Sequence, residues 1–244
     1  PPLPEPVDSY TWTRVQNEAA RNAGSGLAFG ESQIDRIIAY NNGDFEYIKN
    51  SIPDWPEGAT FFGAAPDKAG EWNPDYSYAN NNWWDIYYGE SLNQKHDLSV
   101  SGGSKNLSYY FSAGYLDEKG VLNYGTDTFQ RLNTIGKINL SLTDWWDFTF
   151  QSRWTQSNRK RPSMTREGDY SFLFRQVSRQ YPFTSMYDGF GNYFIESHIP
   201  EIETGLDTID RSIFDNNFST ELRPLKGWKI NADFAYSFRS NLNS

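Results

Sequence analysis

The stretch from His96 to Gly120 reads HDLSVSGGSKNLSYYFSAGYLDEKG, and its second half alternates. Leu107, Tyr109, Phe111, Ala113 and Tyr115 share one parity; Ser108, Tyr110, Ser112 and Gly114 share the other. A period of two predicts a strand with one apolar face. Leu98 and Val100 begin an earlier strand, and GGSKN supplies a tight turn between the two. A third strand, FQRLNTIGKINLSL, sets Leu132, Ile138, Leu140 and Leu142 against Arg131, Asn133, Lys137, Asn139 and Ser141, with Ile135 out of phase. After a short TDW turn, a fourth sets Trp146, Phe148, Phe150 and Trp154 against Asp147, Thr149, Gln151 and Arg153. A long excursion from about 158 to 210 precedes the fifth, with Phe214, Phe218 and Leu222 opposite Asn217, Ser219, Glu221 and Arg223. PLKG turns the chain into the sixth, where Trp228, Ile230, Phe234, Tyr236 and Phe238 oppose Lys229, Asn231, Asp233 and Arg239.

Residues 1–95 carry a different pattern. VDSYTWTRVQNEAARNAG predicts a helix capped by Asp8 or Ser9, with Trp12, Val15 and Ala19 on one side and Gly24 as the stop. ESQIDRIIAYNNG predicts a second, with Ser32 and Asp35 spaced like a capping box, Ile34, Ile37 and Ile38 on one face, and Gly43 at its end. A long irregular stretch rich in Pro, Gly, Asn and aromatic residues follows. Such a loop is usually functional or partner-bound.

Six strands of about ten residues or more exceed the usual length of five or six. Their connections alternate short and long. A transmembrane strand needs roughly 9 to 11 residues, and outer-membrane barrels pair short turns at one end with long loops at the other. Trp146, Trp154 and Trp228 stand near strand ends, as aromatic girdles do. A soluble sandwich would show the same alternation with its apolar face on a core, so the pattern leaves both open and loop rhythm favours the membrane.

Composition narrows the classes. Of 244 residues 17% are aromatic, which argues against general disorder. A net charge of -9 argues against a nucleic-acid partner, which needs a basic face. With no cysteine there is no disulfide and no thiolate zinc site. No run of about 20 apolar residues predicts a transmembrane helix. The chain opens PPLPEP and ends SFRSNLNS within an alternating run, so a fragment of a longer protein is expected.

Chemistry-bearing motifs are sparse. His96 and His198 lie apart and outside metal-ligand spacing. SVSGGS lacks the Lys-Ser/Thr ending of a phosphate loop. Glu201, Glu203, Asp207 and Asp210 read as a solvated acidic loop rather than a calcium loop. No catalytic constellation is present, so neither an enzyme nor a cofactor is expected. The aromatic cluster NNWWDIYYGE could stack on sugars, grip a partner or pack the loop. Trp72, Tyr76, Trp83, Trp84 and Tyr87 are the candidate ligand or partner contacts, and Lys137, Arg153, Glu221 and Asp233 the candidate lumen-facing residues. RKRPSM, Arg159 to Met164, is a small basic patch suited to solvent or to lipid A phosphates.

QKHDLSVSGGSKNLSYYFSAGYLDEKGVL resembles the early barrel segment of SusC/RagA-type TonB-dependent outer-membrane transporters of Bacteroidetes. NEA at Asn17 to Ala19, WWDIYY, and FQRLN…INLSLTDWWDF follow in that family's order, and the likeness covers about residues 8–163. The resemblance implies an all-β fold: part of a 22-stranded transmembrane barrel in a Gram-negative outer membrane. Residues 1–95 would form an extracellular loop region with two short helices, and 96–244 six strands of the barrel. It further implies energy from TonB, a SusD-like surface lipoprotein as partner, contact with the bilayer and lipopolysaccharide, and an oligosaccharide or peptide substrate. The alternative is a soluble, aromatic-rich glycan-binding β module.

Overall fold

A computed structural model describes residues 4–163 and 170–244. The chain divides into two compact units, one of residues 1–89, 122–125 and 163–205, the other of residues 90–121, 126–162 and 206–244.

The first unit is helical and irregular. α1 (Ser9–Asn22) starts at Asp8, whose carboxylate accepts hydrogen bonds from the Thr11 amide at 2.9 Å and the Thr11 hydroxyl at 2.7 Å. These bonds hold the Asp8 carboxyl below its ordinary value. The expected apolar face of this helix is corrected. Ser9, Thr13 and Asn17 are its buried positions, while Val15 is exposed. The cause is Asn17, whose amide donates to the Phe29 carbonyl and accepts from the Phe29 amide at 2.9 and 2.8 Å. That pair of hydrogen bonds draws the polar stripe inward, and the Ser9 amide adds to it by donating to the Asn80 side chain at 2.9 Å. α2 (Glu31–Asn41) follows Gly30 rather than Ser32, buries Ile37, and ends before Gly43 at φ +72°. α3 (Phe45–Ser51) is capped by Asp44, and α4 (Trp83–Tyr87) by Asn82. A small sheet pairs β1 (Ala64–Pro66) with β2 (Trp72–Ser77). α5 (Ser171–Arg179) and α6 (Ile199–Thr204) complete the unit, so the 158–210 excursion carries helices of its own. The unit has two cores. Ile37, Ile48, Tyr78 and Phe183 anchor one; Trp83, Trp84, Tyr87, Leu173, Val177, Ile199 and Ile202 form the other.

The second unit is one antiparallel sheet in chain order: β3 (Gln94–Gly103), β4 (Leu107–Lys119), β5 (Thr128–Thr143), β6 (Trp146–Pro162), β7 (Leu206–Leu222) and β8 (Ile230–Asn243). The strands flanking the excursion run four residues past the expected limits, to Pro162 and from Leu206. Register aligns the alternations. Leu98, Ala113, Thr134, Trp154, Phe214 and Phe238 form one row; Gly102, Tyr109, Ile138, Phe150, Phe218 and Phe234 form another. Directly paired residues share a face, so the apolar halves of all six strands merge into one surface. No residue of β3–β8 belongs to either core. Leu98, Phe111, Phe214, Phe218, Phe234 and Phe238 stand exposed.

Candidate functional site

The sheet offers two faces of opposite chemistry. The apolar rows run along β6 from Trp146 to Trp154, with Leu132 and Tyr115 one row further. At a rise of ~3.4 Å per residue this is about 27–34 Å along the strand, or roughly 21–26 Å at the ~40° tilt of barrel strands. The indole N–H groups at its margins are satisfied: Trp146 donates to the Thr220 hydroxyl at 2.8 Å and Trp154 to that of Ser212 at 3.2 Å. One row in the middle is softer, with Gly136, Ser152, Asn216 and Tyr236 in register.

The opposite face is wet and linked across strands. Asn139 donates to Ser108 at 2.9 Å and accepts from Thr149 at 3.0 Å, tying β4, β5 and β6. Near the short turns Ser141 donates to Asp147, Asp147 pairs with Arg223, Arg223 with Glu221 at 2.8 Å, and Glu221 with Lys229 at 2.6 Å. Ser219 donates to Asp233. Register places Lys137 opposite Gln151, Arg153 opposite Ile135 and Asp215, Glu221 opposite Asp147, and Asp233 opposite Ser219. Lys137, Arg153, Glu221 and Asp233 thus share the polar face. Glu221 and Asp233 are engaged by neighbours.

RKRPSM resolves into alternating roles. Arg159 and Arg161 take the polar face and Lys160 the apolar one. Arg161 is buried and bonds Asp207 at 2.6 Å, closing the two strands where the excursion begins. Met164 lies outside the described residues. The acidic loop is likewise divided: Asp207 serves Arg161, Asp210 accepts from Asn158 at 2.6 Å, and Glu201 pairs with His198 at 3.1 Å.

In the first unit the five candidate contacts separate. Trp83, Trp84 and Tyr87 are 3%, 8% and 1% exposed, within the second core. Trp83 also donates to the Tyr181 carbonyl at 2.9 Å. Enclosed this way, these three side chains pack the loop's own core, while Trp72 and Tyr76 keep part of their surface open. Burial drives the Tyr87 hydroxyl well above its ordinary pKa, with Tyr124, Glu201 and Tyr88 adding to it. Tyr76 is half exposed on β2, and Trp72 half buried.

Trp72 belongs to a tip that the sequence reading missed. Its ring meets Trp55 and Phe190 edge-on at 5.6 and 6.0 Å. The turn Asp188–Asn192 lies between the rings of Trp72 and Phe61. A Cβ on Gly189 would overlap the Trp72 indole, and one on Gly191, at φ +88°, would sit 2.7 Å from Phe61. The Asp188 carboxylate fastens the turn by accepting from the amides of Phe190 and Asn192 and from the Asn192 side chain at 2.8–2.9 Å. Burial opposes its ionisation, but these bonds outweigh it and leave the Asp188 pKa lowered. Phe190 and Phe61 remain exposed and apolar at the tip. The signal was DGFGN, an aromatic residue flanked by glycines in an Asp-led turn.

The sheet thus presents one apolar belt and one hydrogen-bonded polar face. Parts of the sequence, and the fold, have counterparts among known proteins. Over 88 residues the chain is 31% identical to TonB-dependent receptor P26 of Formosa agariphila, and over 67 residues 34% identical to TonB-dependent receptor SusC of Bacteroides thetaiotaomicron. These alignments cover 36% and 28% of this chain but only 8% and 6% of the relatives. No family model matches. In fold, the chain is similar to the RagAB peptide importer in its closed-closed state, with a TM-score of 0.59 at 17% identity, over 93% of this chain and 25% of that one. A second RagAB peptide transporter structure gives 0.58, also at 17% identity, over 96% and 26%. The SusC/RagA resemblance drawn from the residues is thus matched in sequence by TonB-dependent receptors and in fold by RagAB.

Proposed function

We propose that this chain is a wall segment, with its loops, of a TonB-dependent outer-membrane transporter of the SusC/RagA type. The observation that carries the reading is the apolar belt: large side chains aligned across six strands, covered by nothing in their own unit, at a height suited to a bilayer. Each such side chain moved from water to lipid contributes roughly 1.5–3 kcal/mol. The same belt left in water would be a liability, since exposed edges and apolar patches drive aggregation. This weighs against the soluble glycan-binding module, whose sheet should contribute to a core.

In this reading the apolar face meets lipid, and the polar face with Lys137 and Arg153 lines the lumen. The short turns lie on the periplasmic side and the helical unit outside the cell. The edges of β3 and β8 are continued by further strands of a longer protein, up to the family's 22, because open edges are not tolerated in lipid. The whole transporter imports oligosaccharides or peptides with a SusD-like lipoprotein. The chain itself performs no catalysis and is energised from the periplasm through TonB.

The test is positional. A fluorophore attached at Phe150→Cys or Phe218→Cys in the full-length protein should be quenched by brominated lipid, and one at Gln151→Cys or Asn217→Cys by a water-soluble quencher. Water accessibility at both sets would refute the reading.

A further inference from the structure

Beyond the apolar belt the same face carries a basic row. Lys119 at the end of β4, Thr128 at the start of β5 and Lys160 in β6 are consecutive register partners. Their parity is that of Tyr109, Ile138 and Phe150, so all three leave the sheet on the belt's side. The two lysines are two strands apart, ~10 Å, a gap their flexible stems can close around one anion, with the Thr128 hydroxyl between them as a third donor. Both are exposed, and neither has an ion-pair partner among the described residues. The row between the lysines and the belt carries Asp117, Gln130, Asn158 and Asp210. Both acids keep their charge, but Asp117 accepts from Gln130 at 3.2 Å and Asp210 from Asn158 at 2.6 Å, within their own row and not with the lysines. The Lys119 backbone is held in place, its amide donating to the Asn93 side chain at 3.1 Å.

Height fixes the ligand class. The row lies two rows past Leu132 and Tyr115, about 14 Å along the strands and ~10 Å in height at a barrel tilt. This is the level of the headgroup layer beside the hydrocarbon. We propose that Lys119, Thr128 and Lys160 form a docking site for a phosphate of a phosphorylated glycolipid in the outer leaflet, seated on the outside of the sheet with its acyl chains along the belt. The proposal rests on the membrane reading. It takes one residue from the basic patch, Lys160, and leaves out Arg159 and Arg161, which face the other way.

The experiment uses the full-length protein in vesicles containing either diphosphorylated or dephosphorylated lipid A, with bound lipid A counted by mass spectrometry after mild extraction. Each lysine near the surface is worth roughly fivefold in affinity. The double variant Lys119→Gln/Lys160→Gln should therefore lose about twenty-five-fold for the phosphorylated form and nothing for the other. The Lys→Arg pair should bind normally, as should Lys95→Gln on the opposite face. Equal binding by the double variant and the native protein would overturn the site, as would equal binding of both lipids. Displacement of the lipid by millimolar inorganic phosphate alone would reduce the row to a free-anion site and also overturn it. Quenching at Phe218→Cys by brominated lipid, measured in the same samples, separates the failures. Quenching with no lysine effect removes only the phosphate site; no quenching removes the membrane reading beneath it.

Discussion

Gly189 shows how one residue sets the aromatic tip. Its missing side chain lets the turn lie flat on the Trp72 indole, which fixes Phe190 as an exposed, pre-ordered ring. Gly189→Ala should displace either the turn or the indole at a cost of about 1–3 kcal/mol. Faster proteolysis between residues 185 and 195 would report it, while Gly26→Ala, with open space around it, should have no such effect. Tyr78 and Tyr87 make a pH prediction. Burial raises both hydroxyls above their ordinary value near 10. A raised folded pKa means that the folded unit keeps protons which the unfolded chain gives up. The stabilisation is complete below pH 10 and is lost as pH climbs past it. In an alkaline titration, tyrosinate absorbance from these two should appear only together with loss of the near-ultraviolet circular dichroism of the unit. Normal titration near pH 10 in the folded protein would contradict their burial. The Tyr193 hydroxyl is also raised, to about 12, chiefly by its interaction with Tyr187 rather than by burial.

At the scale of the element, the strands were readable because each was written twice, once in its own alternation and once in its partner's. Phe148 and Phe150 match Leu140 and Ile138 on one side and Thr220 and Phe218 on the other, so a one-residue slip would exchange the two surfaces. This gives a paired expectation. Phe218→Arg at mid-belt should cost roughly 2–4 kcal/mol of stability in lipid, whereas Asn217→Arg, on the wet face, should be nearly neutral. Unfolding midpoints in lipid vesicles would check it, and equal effects would contradict the face assignment. At the root of the long excursion Arg161→Ala would leave Asp207 without its guanidinium partner and loosen the junction of β6 and β7. Faster amide exchange confined to residues 157–162 and 206–211 is the expected signature.

Across the whole molecule, legibility followed sequence distance. The six-stranded order and both sheet faces could be read because the information is local and periodic. The identity of the buried tryptophans could not be. Trp83 and Trp84 sit in an aperiodic stretch, and residues that enclose them, Leu173, Val177 and Ile199, arrive far later in the chain. Nothing near Trp83 announces them. Val15 misled for a different reason: Phe29 lies only 12 residues past Asn17, but a side-chain amide pairing with backbone leaves no hydrophobic period to read. A test of partner contact has to spare both cores. Removing residues 55–90 would take out β1, β2, α4 and part of both cores, so lost co-purification of a surface lipoprotein would carry no information. Tyr76→Ala with Phe190→Ala leaves both cores intact. If the tip holds the lipoprotein, this pair should weaken co-purification at least tenfold; unchanged recovery would assign the tip another role.

The division of the chain also bears on the order in which it folds. The core around Trp83 joins one segment before β3 to another after β6, and the hydrogen bond from Trp83 to Tyr181 spans 98 positions. Closing so long a connection is entropically slow unless the intervening chain is first shortened. Zipping β3 through β6 as neighbouring hairpins would shorten it, because each turn brings the next strand back beside the last. The helical unit is therefore expected to harden last, once the six strands have paired. A refolding time course should show strand pairing first and the burial of Trp83 and Trp84 in a later, separate phase.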